Sequence, residues 1–193
     1  MKNNDLKFQD IIIVFMQELS PFKENYVYFL LLMIVLSVVV YLFFGENYFG
    51  ILPFSKMMET SVFSKIINDF LTIFNILTVV TMLFRYMFKT LSYRTNQLMK
   101  KYTLLCREKL PLYQHHTPSR IKTEMFIFQL LLCSAILFWF WILVFHDDRK
   151  SLLYELFNSN FILVLLFMSF MHYAIYYLTL MNIIFWEQRK HVM

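Results

Sequence analysis

Polar side chains recur at helical spacing inside two otherwise apolar stretches of this sequence. They stand at every third position in the first stretch, and at every third or fourth position in the second. The residues are Thr72, Asn75, Thr78 and Thr81 in the first stretch, and Ser169, His172, Tyr176 and Thr179 in the second. This spacing places each set on one face of a helix. Such groups can form hydrogen bonds between membrane helices, worth on average about 0.6 kcal/mol each.

Two interpretations of these polar faces are open. In the first, hydrogen bonds between them join the two helices to each other. In the second, part of a face meets an intramembrane partner, because a polar group that faces lipid alone is costly. Asn75 and His172 are the residues that would best distinguish the two interpretations.

Catalytic and metal-binding patterns are missing from the sequence. The apolar stretches contain no acid beyond Asp69, which stands at a boundary, and there is no nucleophile elbow or phosphate-binding glycine loop. The five histidines and two cysteines are not grouped as zinc ligands are. We therefore expect a protein that is not an enzyme and that binds neither a cofactor nor a metal.

The two polar faces belong to two of four apolar stretches in the chain. The four stretches predict transmembrane helices at residues 26–44, 66–88, 125–145 and 158–186, since about 20 helical residues cross a bilayer. Hydrophobic residues make up 59% of the chain and charged residues 16%, against about 45–50% and 25% in soluble domains. The expected fold is a single all-α, polytopic membrane domain over residues 1–193. Asp69 and Arg85 would lie near the two interfaces and snorkel.

The distribution of lysine and arginine predicts the orientation of the chain. Residues 89–124 carry eight lysines and arginines against two glutamates, which is typical of a cytoplasmic loop. The other two loops have no basic excess and are expected outside. The basic tail, residues 187–193, and the N-terminus are then both cytoplasmic. The positive charges are expected to serve orientation and contact with lipid headgroups, and no nucleic acid is expected as a partner.

Two further helices are predicted on the cytoplasmic side. Residues 6–20 have an amphipathic pattern, which predicts an interfacial helix along the inner membrane surface; a flexible tail is the alternative. Leu91, Leu98 and Leu105 share a helical face. This pattern predicts that the second transmembrane helix continues into the cytoplasm as far as Pro111.

The arrangement resembles a family of bacterial proteins. Leu52 and Pro53 open an outer loop that leads into a span with polar residues at its start, and the last span is polar, rich in tyrosine and ends on Arg189 and Lys190. These features are similar to those of the four-span immunity proteins that protect a bacterium from its own pore-forming colicin, the group acting on colicins A and B. The resemblance is mostly one of topology, and the middle cytoplasmic loop is longer here.

The resemblance implies a function and a partner. Such an immunity protein lies in the inner membrane and contacts the membrane-inserted pore-forming domain of the toxin, which stops the channel from opening. The recognition residues would then lie in the outer loops. They are Leu52, Pro53, Lys56, Glu59 and Lys65 in the first outer loop, and Asp147, Asp148, Arg149 and Lys150 in the second. A composition rich in Phe, Asn, Lys and Ile indicates an AT-rich gene, which fits a plasmid-borne bacterial gene and also some organellar genomes.

A different class of function fits the composition as well. An accessory subunit of a secretion, conjugation or respiratory complex would also be rich in Phe and Tyr and poor in glycine. The chain has only two glycines, Gly45 and Gly50. A transporter or channel is less favoured, because broken helices and close helix crossings usually draw on glycine and proline.

Overall fold

A computed structural model describes residues 6–21, 26–52, 55, 62–109, 118–145 and 161–192 of the protein. These residues form six α-helices and one 3₁₀ turn, and no β-strand occurs among them. The helices are α1 (Phe8–Leu19), α2 (Tyr26–Phe44), α3 (Val62–Phe88), α4 (Tyr93–Lys109), α5 (Pro118–Phe145) and α6 (Phe161–Val192), and the 3₁₀ turn is Gly45–Asn47. The expected all-α class is confirmed for this part of the chain.

Three of the helices are long and apolar enough to cross a membrane. The apolar segments are Val62–Phe88, Lys122–Trp141 and Leu165–His191, and they indicate a membrane protein. They overlap the second, third and fourth predicted spans. The first predicted span forms helix α2 with the predicted bounds, and its described apolar part, Ile34–Phe44, is shorter.

Local sequence explains where several helices begin and end. Helix α5 begins with Pro118, whose fixed φ and missing N–H suit the first position of a helix. Helix α1 ends at Leu19, two residues before Pro21. The Asp10 carboxylate accepts a hydrogen bond of 2.9 Å from the Lys7 backbone N–H. An acid in the first turn is also favoured by the helix dipole.

The prediction of one continuous helix from the second span to Pro111 is wrong. Helix α3 ends at Phe88, and a separate helix, α4, begins at Tyr93. Ser92 is the residue before α4, and its hydroxyl accepts a hydrogen bond of 3.3 Å from the Thr95 N–H. This is the bond that a serine makes when it caps the start of a helix. The sequence shows the apolar face of α4 but not the cap.

The chain falls into two compact units. The first unit comprises Met1–Lys23, Thr78–Leu132 and Tyr177–Met193, and the second comprises Glu24–Leu77 and Cys133–Tyr176. The buried apolar residues of the first unit include Ile11, Phe15, Leu19, Met82, Met99, Met125, Leu180 and Ile184. Those of the second unit include Ile66, Ile67, Leu71, Phe74, Met168, Met171 and Ile175.

Helix α1 packs inside the first unit. It contacts α4, and the side chains of Ile11, Phe15 and Leu19 are at most 1% exposed. The Phe8 ring lies 5.7 Å from the Tyr102 ring and 6.4 Å from the Phe185 ring. The apolar face of α1 is therefore covered by other residues of the first unit, whereas the sequence predicts that this face lies against the membrane surface.

Candidate functional site

A buried carboxylate in α3 organises the described part of the segment between α2 and α3. The Oδ2 atom of Asp69 accepts hydrogen bonds from the Tyr48 hydroxyl at 2.7 Å and from the Ile51 N–H at 2.6 Å. Its Oδ1 atom accepts hydrogen bonds from the Leu52 N–H at 3.2 Å and from the Ser55 hydroxyl at 2.5 Å. Asp69 is 0% exposed. Because a carboxylate has about four lone-pair positions, its capacity to accept hydrogen bonds is filled.

The two glycines of the chain make this loop possible. Gly45 has a φ of 49° and Gly50 a φ of 92°, a left-handed region that residues with a side chain rarely adopt. Gly50 directly precedes the two backbone N–H groups that reach Asp69. Successive N–H groups that point to one anion form the kind of concave site known as a nest. The loop conformation thus depends on Gly50 and on the acid together.

A second set of side chains supports the Asp69 loop. The Asn68 amide donates a hydrogen bond of 2.7 Å to the Ser55 hydroxyl oxygen, so Ser55 accepts from Asn68 while it donates to Asp69. Ser55 and Asn68 are both fully buried. The rings of Tyr41 and Phe63 meet edge to face, with their centroids 5.9 Å apart. Polar and aromatic contacts therefore hold both ends of the segment from α2 to α3.

The environment keeps Tyr48 protonated. Burial, together with the hydrogen bond to Asp69 and the charge of its carboxylate, raises the pKa of the Tyr48 phenol well above its ordinary range. Each of these effects disfavours the phenolate. Tyr48 consequently remains a hydrogen-bond donor to Asp69 throughout the physiological pH range.

The expectation that Asp69 and Arg85 snorkel is corrected by the contacts they make. They lie sixteen residues apart on α3, or about 24 Å along the axis, which is less than the roughly 30 Å of a hydrocarbon core. Asp69 is buried with four hydrogen bonds, and the Arg85 guanidinium donates a 2.7 Å hydrogen bond to the Ser20 carbonyl oxygen. The protein therefore satisfies the Asp69 charge and anchors Arg85 by one hydrogen bond. Sequence reasoning did not identify Asp69 as a site residue; an ionisable residue within an apolar helix was the available signal.

The predicted recognition residues are only partly within the described chain. Leu52 gives its N–H to Asp69 and is half-buried, and Lys65 is half-buried in the first turn of α3. The remaining predicted residues lie outside the described residues. These are Pro53, Lys56, Glu59, Asp147, Asp148, Arg149 and Lys150.

The predicted polar faces are buried at most of their positions. Thr72, Asn75, Thr78, His172 and Tyr176 are each at most 3% exposed, whereas Ser169 is half-buried. The protein therefore encloses most of the side chains on these two faces. The Thr72, Asn75 and Thr78 side-chain oxygens have no hydrogen-bond partner among the described residues. At these three atoms the structure therefore shows no hydrogen bond that would join the two faces, within the described residues.

His172 has a defined environment in the second unit. Its Nδ1 lies 2.7 Å from the Met168 carbonyl oxygen, and its ring meets the Trp139 ring edge to face at 5.8 Å. The Nε2 atom of His172 and the Nε1 atom of Trp139 are buried without a hydrogen-bond partner among the described residues. The Nδ1 contact and the Trp139 ring fix the orientation of the imidazole.

Sequence reasoning missed a polar cluster at the ends of α3 and α6. The Tyr86 hydroxyl donates to the Glu187 carboxylate at 2.6 Å, and the Lys190 ammonium lies 2.5 Å from the same oxygen. Glu187 is 5% exposed, although the sequence places it in a terminal tail. Helix α6 in fact continues to Val192. The acid and the base, three residues apart on one helix, were the available signal.

Comparison with known proteins identifies no relative. No protein-family model, curated protein or solved structure matches the chain. Among the described residues, no group of three His, Cys, Asp or Glu side chains is placed to hold a metal ion. The functional argument therefore depends on the chemistry of the chain itself.

Proposed function

We propose that this protein binds another membrane-inserted protein without catalysing a reaction. Its partner on this proposal is the pore-forming domain of a colicin, and the protein is an immunity protein of the bacterial inner membrane. The observation that carries the proposal is the outer loop held by Asp69. A loop whose conformation is fixed before binding loses less entropy when it meets a partner.

Four membrane spans provide the topology that this function needs. Helix α2 has 19 residues, enough for a short span, and it adds a first crossing to the three long apolar helices. Helix α4 and the start of α5 carry basic residues, which favour the cytoplasmic side. Both termini then lie in the cytoplasm, and the Asp69 loop faces outwards. A toxin that inserts from outside would meet this loop first.

The use of Asp69 favours a binding role over catalysis. General acid–base catalysis needs a carboxyl group that can exchange a proton with a substrate. All four acceptor positions of Asp69 are occupied by donors from its own loop. This acid therefore acts by fixing the loop.

Exposed apolar helix surface provides area for contact within the bilayer. In the most apolar 18-residue stretch of each spanning helix, 56% of the residues are buried in α3 and α6, but only 6% in α5. Bulky residues of α5, such as Phe126, Leu137 and Trp141, are exposed. A lipid-facing helix with so few internal contacts is available to a helix of a partner.

The first test is protection of sensitive cells. The chain is expressed alone in a colicin-sensitive strain, and survival and membrane potential are measured against a panel of pore-forming colicins. We expect protection against one toxin of the panel while the others still kill. Stable insertion of the protein with no protection against any toxin would count against the proposal.

A loop variant tests which part of the protein recognises the toxin. Replacement of residues 53–61 by an unrelated sequence of equal length should abolish protection while membrane insertion is kept. Asp69→Asn should also reduce protection, because an amide cannot accept four hydrogen bonds. Asp10→Asn makes the same chemical change at an exposed carboxylate of α1 and is the matched control. Full protection by both the loop replacement and Asp69→Asn would contradict the assigned recognition surface.

The low burial of α5 favours a second candidate function. An accessory subunit of a larger membrane complex would also present a helix with few internal contacts. Such a subunit should copurify with its complex from unstressed cells and be degraded in its absence. An immunity protein should insert and persist alone, so the half-life of the protein expressed by itself distinguishes the two functions.

A further inference from the structure

The first unit contains a cleft lined by charged side chains. Its volume is about 510 Å³, within the roughly 300–1,000 Å³ typical of ligand pockets. Three basic residues, Arg85, Lys89 and Arg94, line it together with one acid, Glu18. The lining therefore has an excess of positive charge, which favours an anionic ligand.

The acid of the cleft is already engaged by the protein. The Glu18 carboxylate accepts hydrogen bonds from the Ser92 N–H, from the Ser92 hydroxyl at 3.0 Å and from the Thr95 hydroxyl. These donors belong to the start of α4, where the helix dipole favours a negative charge. Glu18 thus accepts hydrogen bonds at the start of α4, and the three basic residues of the lining outnumber this one acid.

Two of the basic side chains have no partner among the described residues. Arg85 donates a hydrogen bond to the Ser20 carbonyl oxygen. The side chains of Lys89 and Arg94 are exposed and make no hydrogen bond or ion pair with any other residue that the structure describes. Five N–H groups of an arginine and three of a lysine are suited to bind the oxygens of a phosphate.

The cleft lies where an apolar helix surface ends. Phe84, Met87 and Phe88, in the last turns of α3, are 60%, 74% and 72% exposed. Lys89 follows directly and lines the cleft. A change from exposed apolar to exposed basic side chains within one helical turn is typical of the boundary between acyl chains and headgroups. The phosphate of a phospholipid lies at this depth.

We propose that this cleft binds the phosphate of an anionic phospholipid headgroup, held by Lys89 and Arg94 with Arg85 behind them. The acyl chains of the lipid lie along the exposed apolar surface formed by Phe84, Met87 and Phe88. This lipid site is separate from the Asp69 loop. It does not depend on the proposed colicin partner.

The test uses the full chain in vesicles of phosphatidylcholine. Its association with spin-labelled phosphatidylglycerol is compared with its association with spin-labelled phosphatidylcholine, which has a phosphate but no net charge. The unmodified protein should prefer phosphatidylglycerol. The double variant Lys89→Gln and Arg94→Gln should lose roughly 25-fold in this preference, since each basic residue near a membrane surface contributes about fivefold and the two factors multiply.

The matched control removes two charges from the same helix region outside the cleft. Lys100 and Lys101 are exposed on α4 and do not line the cleft. The double variant Lys100→Gln and Lys101→Gln should keep the lipid preference. Equal losses in the two double variants would show a general charge effect and overturn the proposal. Circular dichroism of each variant confirms that the helices are intact.

Inorganic phosphate distinguishes a lipid from a soluble source of the same chemistry. It is added at constant ionic strength, with chloride as the comparison. A retained preference for phosphatidylglycerol supports the lipid site. Displacement of the spin-labelled lipid by inorganic phosphate but not by chloride overturns the lipid assignment and assigns the cleft to a free phosphate compound.

Discussion

Two charged sites near the ends of α3 differ in how their charge is satisfied. The Asp69 carboxylate is fully buried and accepts four hydrogen bonds from its own chain. Lys89 and Arg94, after the other end of the helix, are exposed, and their side chains have no partner among the described residues. A buried charge is tolerated only when hydrogen bonds replace its lost hydration. The comparison shows that Asp69 is used to build the protein, while the basic residues remain available to a ligand.

Removal of the Asp69 carboxylate should have the largest effect. Asp69→Ala leaves the donors of Tyr48, Ile51, Leu52 and Ser55 without an acceptor. The Ser55 hydrogen bond is buried and the other three are part-buried, and an unsatisfied buried group costs about 1–3 kcal/mol. We expect a loss of about 3 kcal/mol or more in the free energy of unfolding, measured by denaturant titration in detergent. Asp10→Ala, at an exposed acid, should cost less than about 1 kcal/mol. Equal losses would show that the Asp69 loop contributes no special stability.

Removal of Glu18 should have an intermediate effect in the first unit. Glu18→Ala removes three hydrogen bonds to Ser92 and Thr95 at the start of α4, and we expect a loss of about 1–3 kcal/mol. The contact between α1 and the start of α4 should then open more often. Amide hydrogen exchange of residues 8–19 and 93–98 should accelerate, whereas Gln17→Ala at the exposed neighbouring position should leave it unchanged. Unchanged exchange in Glu18→Ala would mean that apolar contacts alone hold α1 to α4.

Removal of one donor at Asp69 should have the smallest effect. Tyr48→Phe leaves the other three hydrogen bonds to Asp69 in place, so we expect a loss of about 1 kcal/mol at neutral pH. The raised pKa of Tyr48 contributes stability that is complete below its unfolded value of 10.0 and is lost as the pH rises towards the folded value. The stability difference between the unmodified protein and Tyr48→Phe should therefore shrink above about pH 10. A difference that is constant up to pH 11 would contradict the assigned environment of Tyr48.

The sequence predicted most of the helical segments in the described residues. Helix α2 has the predicted bounds, and α1, α3, α5 and α6 overlap their predictions. Apolar runs of sufficient length leave the backbone no alternative to a helix in a membrane, so length and composition decide these elements. Helical spacing groups the polar residues around Asn75 and His172 on one face of each helix, and the structure shows that these two side chains are buried.

The break at residues 89–92 shows where sequence reasoning failed. The apolar pattern of Leu91, Leu98 and Leu105 fits one continuous helix, and the competing signal is a serine cap. That cap is reinforced by Glu18, 74 residues away in the sequence. A local pattern cannot reveal an acceptor that approaches from so distant a segment.

The sequence by itself determined the helical class, the apolar helices that can cross a membrane and the excess of basic residues between the second and third of the predicted spans. These properties depend on local composition and on the spacing of residues within one segment. Only the tertiary structure decided which charges are used. It brings Tyr48, Ile51, Leu52 and Ser55 to Asp69, and it brings Glu18 to Ser92. The side chains of Lys89 and Arg94 are left without a partner in the part of the chain that the structure describes. The physical reason is that a charge is satisfied by groups close in space, and those groups are distant in the sequence.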